Sequence, residues 1–405
     1  MSSDVPMGGS LNVEVASETS NPPDLSPRSN PEEGSKSSAT PTNTPRLGRQ
    51  RSTAVRYTSK QAADDSMYLL KANRQPVAEE AFSTEAGIHG IVVSIQGWRK
   101  TMEDAHFLAV RSPTSHCLSL AVGSLARSPQ ADVSSPLSPQ LQMHPVVDAL
   151  PLESPFEAIL GVYDGHQNDV TAKYLQERLH SHVITGLARL DFEAEVDSLQ
   201  PQVADAMKTA FVDADEEHRA QEVSHGGSTV GLAVVCTKYI VLAMVGDCKA
   251  AVIRGDGTRV DISVEHRLAV NAEEKLRVEA TGTATTNDRV GGILGITRAI
   301  GDYKLKPNDV EPSNRPIVPY PEVALVPRTA ADEFVVVGCD GVWELQTLDT
   351  VQSALRSAGE DLSVNSVVNI VHSCCSTTVA HHAGASAQEG TDNVTLGVLR
   401  FYRDD

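Results

Sequence analysis

Hairpin follows hairpin in the middle of this chain. Strand-like apolar stretches at 229–236, 239–245, 250–254 and 259–263 succeed one another with only turn residues between them. Gly255-Asp256-Gly257 reads as the tight turn between the last two. Helical patterns also come in pairs: 170–190 is followed by 199–221, and 347–358 by 364–375. In the second of these, Val203, Met207, Ala210 and Phe211 recur at helical spacing, a stripe expected to pack into a core. Further strands are expected at 90–96, 107–110, 158–163, 318–326, 333–338 and 393–401, with a lone helix at 272–280. Helices grouped with helices and strands with strands predict an α+β fold with largely antiparallel sheets, not alternating βαβ units. No internal repeat is visible.

Two regions break these patterns. Residues 1–84 are rich in Ser, Pro, Thr and Asn and have few aromatics, so they are expected to be a disordered tail. Arg46, Arg49, Arg51 and Arg56 surround Ser52 there. The cluster reads as a solvated tail, with a kinase or docking site as the alternative. Ser-Pro pairs recur through 112–154, a length uncommon for a loop in a compact domain, so a surface insertion is expected, with a short ordered piece at 118–122. The remainder, 85–405, is expected to be one large domain.

The formal net charge is -19 and the pI about 5.1, which argues against nucleic acid as the main partner. An acidic protein can still bind phosphate locally through metal ions. No run approaches the roughly 18 apolar residues of a membrane span. Met1-Ser2-Ser3-Asp4 lacks the start of a signal peptide, and Ser2 replaces the glycine that myristoylation requires. The six cysteines form no Cys-x-x-Cys pair, and with no secretion signal reduced thiols in the cytoplasm or nucleus are expected, in a protein that is not secreted.

The chemistry lies in carboxylates. Met102-Glu103-Asp104, Tyr163-Asp164-Gly165-His166, Cys339-Asp340-Gly341 and Gly390-Thr391-Asp392-Asn393 each set an acid beside glycine or at a strand end, and Val245-Gly246-Asp247-Cys248 is similar. Taken alone, Asp164-Gly165 is a turn, Arg99 a surface ion-pair residue and His166 a packed histidine. Taken together, carboxylates along one sheet edge would repel one another unless cations sit among them. All-oxygen ligands suit Mg²⁺ or Mn²⁺ better than Zn²⁺.

From Gln96 onward, apart from the 112–154 insertion, the chain resembles the type 2C metal-dependent protein serine/threonine phosphatases, the PPM family. The residues that carry the likeness are Gln96-Gly97-Trp98-Arg99, Met102-Glu103-Asp104-Ala105-His106, Val162-Tyr163-Asp164-Gly165-His166 and Gly227-Ser228-Thr229. Gly246-Asp247, Thr297-Arg298-Ala299-Ile300-Gly301-Asp302, Cys339-Asp340-Gly341-Val342-Trp343 and Thr391-Asp392-Asn393 complete it, in the family's order.

The resemblance implies a sandwich of two antiparallel sheets flanked by helix pairs (α-β-β-α layers), with metal ions at one edge. It implies that Asp164 bridges two Mg²⁺ or Mn²⁺ ions, that Asp340 and Asp392 complete the first site, and that Glu103 and the Gly165 carbonyl complete the second. Asp104 would orient water beside these ligands. Two such ions roughly 3.5–4 Å apart activate a bridging water. That water would attack phosphorus in line, with no phospho-enzyme. Arg99 would grip the phosphate, and His166 would protonate the departing seryl or threonyl oxygen.

Asp247 would join Asp340 in a weaker third site, where Glu344 stands in place of the family's aspartate. Cys248 stands where serine is common and Glu265 where aspartate is common. Arg298 and Asp302 are expected to form an internal ion pair, and 303–320 a flap beside the cleft. The implied partners are phosphorylated proteins, acted on by a monomer. The alternatives are a weak or inactive phosphoprotein-binding regulator on the same fold, and a scaffold working through its tail. Degenerate members usually lose a metal carboxylate, whereas Glu103, Asp164, Asp340 and Asp392 all remain here.

Overall fold

Eleven main strands and five helices carry the architecture. The computed structural model describes residues 73–111, 121–122, 141–142, 150, 155–222, 225–262, 264–359, 362–375 and 390–402. The strands of the first half are Val77–Ser83 (β1), Ile88–Ile95 (β2), Ala105–Val110 (β3), Phe156–Tyr163 (β4), Val230–Cys236 (β5) and Tyr239–Val245 (β6). Those of the second are Lys249–Arg254 (β7), Arg259–Ile262 (β8), Glu322–Pro327 (β9), Asp332–Gly338 (β10) and Val394–Phe401 (β11). The helices are Val170–Leu187 (α1), Val196–Arg219 (α2), Ala272–Ala280 (α3), Leu348–Ser357 (α4) and Val364–Ser373 (α5).

The strands form two sheets, ordered β1-β2-β11-β10-β7-β8 and β9-β6-β5-β4-β3, and every pairing within them is antiparallel. Central strands are buried on both faces, which is why they read as continuous apolar runs. In β4, Ala158, Leu160 and Val162 face the layer between the sheets, while Ile159 and Tyr163 face α1 and α2. Phe156 joins the second set because the register shifts between Phe156 and Ala158. Leu175, Leu179, Val203, Met207 and Phe211 seal the outer face of the five-stranded sheet, and Val351, Leu355, Val367 and Val371 that of the six-stranded one. The layering is therefore α-β-β-α, as expected.

Two boundaries differ from the sequence reading. Residues 77–83, assigned to the tail, form strand β1, and the compact unit begins at Lys71. The inward positions of β1 are Ala78, Ala81 and Ser83, and Glu79 and Glu80 lie between them, so little apolar signal marks it. Residues 318–321 are not strand: Pro319 and Pro321 cannot donate to a ladder, and β9 starts at Glu322. Residues 1–72 of the tail lie outside the described residues. So does most of 112–154, where Ala121–Val122 and Leu141–Gln142 are described, paired with each other, along with the buried Leu150.

A third, smaller core is formed by Leu268, Val278, Val290, Ile296 and Ile317 around α3. The flap region expected at 303–320 is thus the end of a larger packed segment beginning near 264.

Candidate metal centre

Antiparallel pairing brings the acidic residues to one edge. Ala105 pairs with Tyr163, so Asp104 and Asp164 flank adjacent strand ends. Ile95 pairs with Val394, and Gly338 with both Leu396 and Lys249, which brings Arg99, Asp392, Asp340 and Asp247 to matching ends of the other sheet. Asp340 opens a one-turn helix, Asp340–Trp343. A Cβ on Gly341 would lie 2.0 Å from the Asn393 carbonyl oxygen, so only glycine lets this turn lie against the start of β11.

Asn393 braces the edge from within. Its Nδ2 donates to the carbonyls of Gln96 (2.7 Å) and Thr101 (3.0 Å), and its Oδ1 accepts from the Glu103 N–H at 2.8 Å. In the sequence Asn393 is visible only as part of the Thr391-Asp392-Asn393 motif.

Among the described residues, three groups of potential ligand atoms result, each within 4.8 Å: Asp164 with Asp247 and Asp340, Asp340 with Glu344 and Asp392, and Asp104 with Asp164 and Cys339. Burial, then the carboxylates of Asp340, Asp104, Asp392 and Asp247, push the Asp164 carboxyl well above the usual range. Burial, then Asp247 and Asp392, do the same to Asp340. Burial also raises Asp247, with Arg267 at 3.7 Å opposing it. Asp104 is pushed up to about 6, chiefly by burial, although Thr395 Oγ1 donates to its Oδ2 at 2.7 Å.

This donor set fits divalent cations. Asp164 and Asp340 have no ion-pair partner among the described residues, the buried Asp104 Oδ1 has no hydrogen-bond partner, and the liganding atoms are mostly hard oxygens. Cys339 and Cys248 are buried thiols pushed well above their ordinary range by desolvation, and Cys248 Sγ lies 3.0 Å from Thr229 Oγ1. Both are therefore inert as thiolates.

The other expected residues stand nearby in differing company. The Glu103 carboxylate accepts from Thr101 Oγ1 at 2.9 Å and belongs to none of the three groups. A Cβ on Gly165 would meet the Glu103 carbonyl oxygen at 2.4 Å, so glycine permits that close approach. Arg99 is ion-paired with Asp392. Asp247 and Glu344, assigned together by the resemblance, fall in different groups, and Glu344 Oε2 accepts from the Gly390 N–H at 2.9 Å. Glu265 pairs with Lys249 at 3.0 Å.

The expected Arg298–Asp302 pair does not form. Arg298 Nη2 donates to Glu274 Oε1 at 2.8 Å, whereas Asp302 Oδ2 lies 2.7 Å from His166 Nε2. Both contacts join residues far apart in sequence, and no local pattern announces them.

No helix of the described residues is long and apolar enough to cross a membrane. The family model "Protein phosphatase 2C" matches residues 147–383. The chain is 30% identical over 365 residues to "Probable protein phosphatase 2C 8" of Oryza sativa subsp. japonica, covering 84% of this chain and 81% of that protein. It is 30% identical over 244 residues to "Probable protein phosphatase 2C 54" of the same plant, covering 60% and 61%. The chain spans 53–63% of the length of several curated relatives that it matches. Among solved structures, serine-threonine phosphatase 2C from Toxoplasma gondii aligns with TM-score 0.53 at 18% identity, covering 81% of this chain and 99% of that one, a likeness of fold. With more than half of its residues matched by the family model, this chain belongs to the protein phosphatase 2C family.

Proposed function

We propose that this protein hydrolyses phosphoserine and phosphothreonine in proteins, using two divalent cations, Mg²⁺ or Mn²⁺, and forming no phospho-enzyme. The observation that carries this is the convergence of Asp164, Asp247, Asp340 and Asp392 from four separate segments at one sandwich edge. In this reading Asp164, Asp340 and Asp392 would hold one cation, and Glu103 with the Gly165 carbonyl would help to hold the other. Asp247 and Glu344 offer further oxygens for a weaker third ion. When bound, the cations neutralise phosphate charge and lower the pKa of water.

The chain's own residues do the rest. Arg99 presents its planar fork to two phosphate oxygens, which fixes the phosphorus for in-line attack. Asp104, anchored by Thr395, orients the attacking water. The oxygen of that water forms the new bond to phosphorus as the bond to the seryl or threonyl oxygen breaks. His166 supplies the proton that this oxygen takes up, since an alkoxide leaves poorly near neutral pH. The products are inorganic phosphate and the free hydroxyl. The catalytic domain in this reading is the folded region ending in β11, the substrates are cytoplasmic or nuclear phosphoproteins, and the protein works as a monomer.

The test is hydrolysis of p-nitrophenyl phosphate and of a phosphothreonine peptide with Mn²⁺. Activity should vanish with chelator and in Asp164→Ala. Undiminished turnover in Asp164→Ala would defeat the proposal.

A further inference from the structure

The His166 ring is held by Asp302, whose side chain has no other hydrogen-bond partner among the described residues. Asp302 has φ 54° and ψ 40°, a left-handed conformation that aspartate and asparagine tolerate better than other non-glycine residues. Its side chain is 5% exposed, with Oδ2 2.7 Å from His166 Nε2. The surroundings fix this arrangement from several sides. The Asp302 N–H donates to the Gly226 carbonyl at 2.9 Å, and the neighbouring Gly301 N–H donates to Asp215 Oδ1 at 2.8 Å. Gly301 has φ +87°, and a Cβ on it would meet the Gly226 oxygen at 2.7 Å. A Cβ on Gly227 would lie 2.2 Å from Asp302 Oδ2, in the space that the carboxylate uses to reach the ring. The charge that sequence proximity would pair with Asp302, Arg298, is bound to Glu274 instead.

We infer that Asp302 is a positioning residue for leaving-group protonation: its carboxylate engages His166 Nε2, so that Nδ1 is the nitrogen that serves the departing seryl or threonyl oxygen. This rests on the phosphatase reading above. A backbone held left-handed, a side chain enclosed by glycines and a single polar contact to the ring are what ring orientation requires. The arrangement parallels the way a buried carboxylate fixes the imidazole of a catalytic triad, with the two ring nitrogens exchanged.

The experiment compares two substrates in the full chain with Mn²⁺. p-Nitrophenolate leaves without a proton, whereas the alkoxide of a phosphoserine peptide needs one. Asp302→Asn keeps the shape and the left-handed backbone and removes the charge. Its kcat on the peptide is expected to fall about a hundredfold, with kcat on p-nitrophenyl phosphate within about threefold and KM for both unchanged. Asp302→Gly, which adopts positive φ freely, is expected to show the same split. Asp302→Asn combined with His166→Ala is expected to be no slower than His166→Ala alone, because both remove one function. Equal losses on the two substrates, undiminished peptide turnover in Asp302→Asn, or additive losses in the double variant would each overturn the inference. A wild-type chain inert toward both substrates would instead overturn the phosphatase reading, and this inference with it.

Discussion

Arg99 and Asp392 are ion-paired at the rim of the carboxylate cluster, Nη2 to Oδ2, so the guanidinium proposed to bind phosphate is anchored on a candidate metal ligand. The pair holds the guanidinium over the site without burying it: the Arg99 side chain is 45% exposed. A lysine could answer the charge of Asp392 but could not span two phosphate oxygens. Arg99→Lys should therefore lower kcat/KM at least about tenfold, a loss near 1.4 kcal/mol of transition-state stabilisation. Calorimetric titration should find Mn²⁺ affinity nearly unchanged in the same variant.

The crowding of Asp164, Asp247, Asp340 and Asp392 predicts that cations stabilise the fold as well as serve the reaction. At a hundredfold excess over Kd, a bound ion adds about 2.7 kcal/mol. Thermal melts should rise with Mn²⁺ and return on chelation. Asp340→Asn removes one of the mutually repelling charges, so its metal-free form should melt no lower than wild type while its response to Mn²⁺ shrinks.

Glu274 makes stability depend on acid in a defined window. Burial opposes its ionisation, but hydrogen bonds from Arg277 and Arg298 outweigh this and hold its carboxyl down to about 2, against an ordinary 4.5. A folded value below the unfolded one gives stability that is fully present above about pH 4.5 and is lost as pH falls through about 2. Glu274→Gln should cost roughly 3 kcal/mol at neutral pH, since two guanidinium groups lose their counter-charge. Urea unfolding from pH 7 to pH 2 should show a flatter acid limb for the variant.

Gly341→Ala tests the close approach between the Asp340 turn and β11. Its Cβ would overlap the Asn393 carbonyl oxygen, which is backbone and cannot rotate away. A loss of about 1–3 kcal/mol is expected from the forced displacement. Because Asp340 and Asp392 flank this contact, Mn²⁺ affinity by calorimetry should fall with it.

The sequence announced antiparallel strands where they were buried on both faces, as in β4 and β5, because such strands leave an unbroken apolar record, while the sandwich was implied only by the family resemblance. It failed at β1, whose inward residues are alanine and serine, and at 318–321, where valine and tyrosine outweighed two prolines. At the site, Asp164, Asp247, Asp340 and Asp392 were legible because each follows or precedes a strand beside a turn. Their relationships were less so. Glu274 holding Arg298, Asp302 holding His166 and Asn393 tying the 96–103 loop to β11 are tertiary contacts, and neighbouring residues impose no period that reveals them.

Strand β11 lies between β2 and β10, in the interior of its sheet, yet it comes last among the strands. A polypeptide synthesised only as far as residue 390 would possess Asp164, Asp247 and Asp340 but lack Asp392, the Asn393 brace and the pairing that unites the first strands with the later ones. Assembly must wait for long-range closure, which is slow. A copy lacking the final strand would thus lack a complete candidate metal site, which would be finished only when that strand pairs with β2 and β10.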